Sequence, residues 1–209
     1  MSLMTTTFYG LEIATELKRK ANESNAWEDH YPIAAESFDS TRNGFDLEDL
    51  CQASNIYAWW KPNVGCHHEH SYIMRSDSRA RKPGEYCQYC SMASKSALEG
   101  EVFEHIRSIT PSHLDVLISM RILPTGPGVS STEIDIYIPQ LRLGFEVNGR
   151  NHGAVKYYPQ GYHESKTLRA ESIGIDLHHI WYKDMRDRKD ETFSHIQYLV
   201  DQALSDNNF

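Results

Sequence analysis

The run from Glu133 to Asn148, Glu-Ile-Asp-Ile-Tyr-Ile-Pro-Gln-Leu-Arg-Leu-Gly-Phe-Glu-Val-Asn, constrains the fold of this chain more than any other stretch. Isoleucine, valine, tyrosine and phenylalanine dominate it, and a turn at Pro139-Gln140 divides it into two strands, 133–138 and 142–148. A period of two places Glu133, Asp135 and Tyr137 on one face of the first strand, and Glu146 and Asn148 on one face of the second. Acids inside strands this apolar are costly to bury unless a cation or a hydrogen-bond donor meets them. An aspartate and a glutamate on neighbouring strands, a polar residue two beyond the glutamate and His152 after the Gly149 turn make a pocket for a hard cation. A half-exposed hairpin with solvated acids is the alternative reading of the same spacing.

Helices and strands alternate around this pair. Ser96 is a candidate N-cap for a helix through about residue 108, with Leu98, Val102 and Ile106 facing inward. Residues 114–123 read as a first strand through Val116-Leu117-Ile118, with a helical turn as the alternative, and a Gly/Pro loop covers 124–131. A helix over 162–173 ends at Gly174, a buried strand covers 176–181, and a last helix covers 191–204. The second half is therefore an α/β domain.

Cys66-x3-His70 and Cys87-x2-Cys90 supply two ligand pairs separated by sixteen residues, a spacing that suits tetrahedral zinc. A closed set of four means a structural ion. His67 and His68 are rivals to His70 for the imidazole position. His67-x-Glu69 before a Cys-x-x-Cys also matches the zinc deaminases, but poorly, because Tyr86 precedes Cys87 where that pattern has proline. Three of the four cysteines cluster with histidines, which points to a metal rather than disulfides and to a reducing, cytoplasmic setting.

The 209 residues carry a net charge of −8, which argues against loose, charge-driven nucleic-acid binding. The balance is uneven: residues 58–96 hold six Lys/Arg against three Asp/Glu. Trp60, Lys61, Arg75, Arg79, Arg81 and Lys82 in this stretch, with Trp59, are candidates for DNA contact, the aromatics by stacking and the cations at phosphates. The alternative for both tryptophans is a place in the core of the zinc module. No apolar run reaches the length of a membrane span, and no signal peptide is visible. Residues 7–24 read as an amphipathic helix through Tyr9, Ile13, Leu17 and Ala21. The expected organisation is a helical arm over 1–29, a zinc-ribbon module over 30–93 and an α/β domain over 94–209.

Asp135 followed by Glu146-x-Asn148 resembles the core of the PD-(D/E)xK nuclease superfamily, with Asn148 where the commonest pattern has lysine. The longer string, with Tyr162-His163-Glu164-Ser165-Lys166-Thr167 and Gly174 to Trp181, is similar to the branch related to very short patch repair endonucleases, which includes phage and homing-type enzymes. This resemblance spans about residues 97–187. Ala35-Glu36, Arg42-Asn43-Gly44, Ser54-Asn55, Trp59-Trp60-Lys61 and the cysteine pairs resemble a zinc-ribbon family often found beside phage-type nuclease domains. The departures are Glu69, where glycine is usual, and Gln88, where proline is frequent.

The resemblance implies a small treble-clef-like zinc-ribbon module followed by a restriction-endonuclease-like α/β core, its mixed central sheet flanked by helices. It implies a metal-dependent DNA endonuclease of a bacterial or phage-infected cell, with Asp135 and Glu146 holding magnesium or manganese. Glu101 on the first helix would complete or orient the cation site, with Glu104 as its rival, and His152 would be the general acid or base. His163 and Lys166, one turn apart, would face the site, with Lys166 stabilising a phosphate oxygen in place of a lysine at position 148. Asn148 would accept from, or donate to, a water or a metal ligand. His178 and His179 lie on the last strand, where one of the two faces the core or the site; both are read as structural by default. A non-catalytic DNA-binding protein on a degenerate nuclease fold and an RNA-directed nuclease are the alternatives.

Overall fold

The computed structural model describes residues 3–8, 11–16, 26–125, 132–150 and 161–207. The chain divides into two compact units, Met1–Ser91 and Met92–Phe209.

The first unit opens with an antiparallel hairpin of β1 (Leu3–Phe8) and β2 (Leu11–Glu16), in register from Leu3↔Glu16 to Phe8↔Leu11. This corrects the helical arm expected over 1–29. Thr5, Thr6 and Thr7 are β-branched and favour an extended chain over the helix that the apolar stripe suggested. Residues 17–25 lie outside the described part. Two single-turn helices follow, α1 (Trp27–His30) and α2 (Pro32–Ala35). A second hairpin pairs β3 (Tyr57–Trp60) with β4 (Tyr72–Arg75), which leads into α3 (Ser76–Ala80). Helix α4 (Gln88–Lys95) begins at the end of this unit.

An aromatic core holds the first unit together. Trp27 and Trp60 are both fully buried with ring centroids 5.1 Å apart, and Phe38 meets Trp60 edge-on at 5.6 Å. The indole N–H of Trp60 donates to the Met74 carbonyl at 2.9 Å, which satisfies its one polar atom. Asn43 ties the outer strand on: its Oδ1 accepts from Trp59 N–H at 2.9 Å, and its Nδ2 donates to the carbonyls of Asp39 (2.9 Å) and Trp59 (3.0 Å).

In the second unit, α5 (Ala97–Ile109) is capped by the Ser96 hydroxyl, which accepts from Glu99 N–H at 3.2 Å. Then come β5 (Leu117–Arg121), β6 (Glu133–Ile138), a single 3-10 turn at Pro139–Leu141 and β7 (Leu143–Asn148). Helix α6 (Tyr162–Glu171) crosses over to β8 (Asp176–Trp181), and α7 (Tyr182–Asp187) and α8 (Lys189–Asp206) close the unit. Gly174 takes the left-handed φ of 73° just past α6, as a helix stop requires.

The sheet order is β5-β6-β7-β8, with two antiparallel pairings and a parallel one between β7 and β8. Ile134, Ile136 and Ile138 share one buried face with Leu143, Phe145 and Val147. The opposite face carries Asp135, Glu146 and Asn148. The fold is thus mixed α/β with a mixed sheet. Among the described residues no helix is long and apolar enough to cross a membrane.

Candidate functional site

Two groups of side chains carry chemistry, one in each unit. In the first, Cys66, His68, Cys87 and Cys90 present ligand atoms that all lie within 4.8 Å of one another. Cys66 and His68 sit in the loop between β3 and β4, Cys87 immediately precedes α4, and Cys90 is in its first turn. The Nδ1 of His68 lies 3.4 Å from the Cys90 sulfur and 3.7 Å from that of Cys87. Asn63 joins the two ligand segments, accepting from Tyr86 N–H at 2.8 Å, and the Tyr89 hydroxyl donates to the Ser71 carbonyl at 3.0 Å.

His68 stands where His70 was expected; His70 is exposed and outside the group. A four-residue spacing returns two side chains to one side only in a helical turn. Residues 64–67 form a bend instead, with Cys66 N–H bonded to the Val64 carbonyl at 2.7 Å, and there a two-residue spacing serves.

The donor set fits zinc. Burial pushes the Cys87 thiol up to about 12 against the downward pull of the Cys90 backbone N–H, and the Cys66 and Cys90 side chains push the same way as burial. A bound divalent ion reverses that balance by stabilising thiolates, and the start of a helix adds to the effect. All four cysteines are free of disulfides.

The residues expected to touch DNA divide sharply. Arg79 is fully buried: its guanidinium donates to Ser37 Oγ (3.1 Å), to the Gly84 carbonyl (3.1 Å) and to the Lys82 carbonyl. Trp60 is core, as described, and Trp59 is covered by Arg42, whose guanidinium lies 3.4 Å from the ring centroid. Neither Arg79 nor Trp60 is available to a nucleic acid in this fold. Arg75 and Arg81 both pair with Asp77, at 3.0 and 3.2 Å. Lys61 pairs with Asp39 at 3.5 Å yet is half-exposed, and Lys82 lies over the Tyr86 ring at 4.5 Å. The outward-facing cations of the expected set are Lys61, Arg81 and, partly, Arg75 and Lys82.

In the second unit the sheet itself opens at the acids. Pairing of β6 with β7 ends at Ile136↔Phe145, one step before Asp135 would meet Glu146. The β5 ladder likewise skips the position opposite Asp135, where Ser119 takes a left-handed φ of 54°. The Asp135 carboxylate occupies the gap, its Oδ2 accepting from Val147 N–H at 2.8 Å. Burial, and then the Glu146 carboxylate, push Asp135 well above the ordinary carboxylate range. Burial also raises Glu146, outweighing the downward pull of Lys166.

Lys166 reaches Glu146 from α6. Its ammonium donates to Oε1 in a pair that is almost wholly buried. Asn148 is fully buried, and its Nδ2 lies 3.1 Å from His179 Nδ1. The Nε2 of His179 meets Thr167 Oγ1 at 3.0 Å. Burial, with His163 and Lys166 nearby, pushes His179 down to about 4, so its ring is neutral at ordinary pH. His163 packs edge-on against both His179 (5.3 Å) and Trp181 (4.8 Å).

Asp135, Glu146, Asn148, His163 and Lys166 therefore come together, while Glu101 does not: it pairs with Lys189 at the surface. Glu99 is the acid of α5 whose charge reaches both Asp135 and Glu146. It precedes the buried Val102 and Phe103 by three and four residues, a sign that it lies on the inward face. His152 lies outside the described residues. His179, expected to be structural, stands beside Asn148 because β8 runs parallel to β7 in the register Glu146↔His179.

Neither a curated protein nor a solved structure matches this chain. Residues 34–93 match the family DUF4379, described as "Probable Treble clef zinc finger domain". With the Cys66, His68, Cys87 and Cys90 group inside that span, residues 34–93 are a treble-clef zinc finger domain with a structural zinc site.

Proposed function

We propose that this protein is a divalent-metal-dependent nuclease that hydrolyses phosphodiester bonds in DNA and uses its zinc finger for nucleic-acid binding. The observation that carries the reading is the Asp135 and Glu146 pair at the point where the ladder opens, with Lys166 on one oxygen of Glu146. The α5-β5-β6-β7-α6-β8 order around a mixed sheet supports it, as does the resemblance of these strands to the PD-(D/E)xK pattern.

The residues fit a hard cation. Two carboxylates that resist ionisation side by side gain from one, and Glu146 Oε2 is buried with no hydrogen-bond partner among the described residues. Asp135 and Glu146 would hold magnesium or manganese, with Glu99 behind them. When bound, the ion supplies Lewis-acid charge and lowers the pKa of its water.

The chain's own groups do the rest. Lys166 offsets the charge that grows on the phosphate oxygens. As the water oxygen bonds to phosphorus and the ester P–O bond breaks, one proton leaves the water and one reaches the departing oxygen. His152 and His163 are the candidate carriers.

A non-catalytic nucleic-acid binder is the second reading, favoured by one observation: Asn148 places no charge where the commonest pattern has lysine. The test is incubation of zinc-loaded, magnesium-free protein with supercoiled plasmid, and separately with an RNA transcript, before and after adding Mg²⁺ or Mn²⁺. Cation-dependent cutting of plasmid that Asp135→Asn abolishes is the expected result. Cutting of RNA alone would move the substrate, and binding with no cutting of either would overturn the enzymatic reading.

A further inference from the structure

We propose that Asn63 is a positioning residue for the structural zinc: its side-chain oxygen, braced by Arg79, fixes the arm that carries Cys66 and His68 against the arm that carries Cys87 and Cys90. The first unit alone carries this role, independent of any cleavage by the second.

Asn63 lies three residues before Cys66, and Tyr86 immediately precedes Cys87. The two meet in a closed pair of hydrogen bonds. Asn63 N–H donates to the Tyr86 carbonyl at 3.3 Å, and Tyr86 N–H donates to Asn63 Oδ1 at 2.8 Å. A single backbone bond would let the arms swing about it, and the side-chain oxygen removes that freedom. Only one orientation of the amide fits. Its Nδ2 donates to the Ile33 carbonyl on α2 at 2.9 Å, while Oδ1 faces two donors, Tyr86 N–H and the Arg79 guanidinium at 3.4 Å. The flipped amide would set its NH₂ against both donors and its oxygen against a carbonyl.

Arg79 braces the same junction from α3. Fully buried, it also donates to the Lys82 and Gly84 carbonyls, in the loop that runs from α3 to Tyr86 and Cys87. One guanidinium therefore touches the chain ahead of each ligand pair, and its rigid fork suits several acceptors at once.

The consequence is energetic. Ligands gathered by zinc give up chain and side-chain freedom, and that loss is set against the binding free energy of the metal. Arms already held together at Asn63 and Tyr86 lose less on binding, so zinc is held more tightly. Asn63 lies outside the ligand group and acts through the direction in which Cys66 and Cys87 leave the junction. Groups that orient metal ligands contribute about ten- to a hundredfold in affinity.

The experiment measures the zinc affinity of the full-length protein by competition with a chromogenic chelator. Asn63→Ala removes both the acceptor and the tie to Ile33. Asn63→Asp keeps an oxygen for Tyr86 N–H and Arg79 and loses only the donor to Ile33. Asn63→Ala is expected to bind zinc more weakly by about tenfold or more, with Asn63→Asp near wild type. Equal losses in the two variants place the role in the Ile33 tie and overturn the proposal, as does wild-type affinity in Asn63→Ala. Asn43→Ala separates positioning from general stability. It breaks three side-chain bonds in the same unit that involve neither ligand arm, and is expected to keep wild-type zinc affinity. A loss there as large as in Asn63→Ala means that zinc binding only follows the stability of the unit, and overturns the proposal. Should Asn63→Ala fail to fold even with excess zinc, Asn63→Asp decides alone: near wild-type affinity supports the acceptor role, and a loss of about tenfold or more refutes it.

Discussion

The ammonium of Lys166 on α6 donates to Oε1 of Glu146 on β7, with the two side chains only 2% and 6% exposed. Removing one member of such a pair strands a buried charge, whereas removing both does not. In magnesium-free buffer Glu146→Gln alone is expected to cost about 3–5 kcal/mol. Glu146→Gln with Lys166→Met should cost less than the sum of the single losses. Urea denaturation of the four proteins measures the coupling, and strictly additive losses would show that the two groups do not pair in solution.

Zinc should be bound at one equivalent per chain, and the two candidate histidines separate cleanly. His68→Ala is expected to lose zinc and to unfold the first unit, since structural zinc supplies folding free energy directly. His70→Ala and Cys51→Ser should retain the full equivalent. Metal analysis with thermal melts decides it, and a His70→Ala protein that lost its zinc would return the ligand to the four-residue spacing.

Asp135 resists ionisation in the folded protein, while the unfolded chain ionises near the ordinary aspartate value. Above that value the folded state binds more protons than the unfolded one, so this group's contribution to stability falls as pH rises. His179 has the opposite sign: between about 4 and 6.5 the unfolded chain binds the extra proton, and stability rises with pH. The His179 contribution is common to wild type and Asp135→Asn, so their difference reads Asp135 together with its coupling to Glu146. At pH 7 without added cation the variant is expected to be the more stable by on the order of 1 kcal/mol, although inactive. Mg²⁺ should stabilise only the wild type. Denaturation at pH 5 and at pH 7 provides the check; a gap that does not widen with pH refutes the assignment.

The two acids on α5 should behave differently. Glu99→Gln is expected to slow cleavage by about tenfold or more, the scale of a group that orients a metal site. Glu101→Gln removes only a surface pair with Lys189 and should leave the rate near wild type. Single-turnover rates with the same DNA compare them, and the reverse order would place Glu101 at the cation.

On the zinc finger, Arg79 and its exposed neighbours are also separable. Arg79→Ala leaves Ser37 Oγ and the Gly84 carbonyl without their donor and should destabilise the first unit by about 1–3 kcal/mol for each buried group left unmatched. Replacing Lys61, Arg81 and Lys82 together by alanine should leave the fold intact and weaken nucleic-acid binding. The salt dependence should flatten by roughly 0.9 per lost phosphate contact. A salt titration of affinity for wild type and triple variant reads this, and identical slopes would move the phosphate-binding surface elsewhere.

What the sequence alone determined is local. The period of two in residues 133–148 dictated two strands and which acids share a face, because side chains alternate on a pleated backbone whatever surrounds it. Ser96 and Gly174 marked helix ends because capping and left-handed geometry depend on a few neighbouring atoms. Three cysteines of the zinc group were legible from their paired spacing. At the N-terminus a local cue was misread, because an apolar stripe of helical spacing outweighed three consecutive threonines that favour a strand.

Only the tertiary structure decided the rest, and for one reason: those assignments depend on the direction in which an element faces others remote in sequence. A bend at 64–67, rather than a helical turn, selected His68 over His70. Rotation of α5 against the sheet turned Glu99 inward and Glu101 towards Lys189. Ser37 and the carbonyls of Lys82 and Gly84, gathered around its guanidinium, took Arg79 out of solvent, although its position in a basic run looked like a phosphate contact. The parallel register of β7 and β8, set by the crossover through α6, brought His179 beside Asn148 and Lys166 onto Glu146. A spacing of twenty or thirty residues encodes no distance until packing closes it, and burial then decides whether a charge is a surface ornament or part of a site.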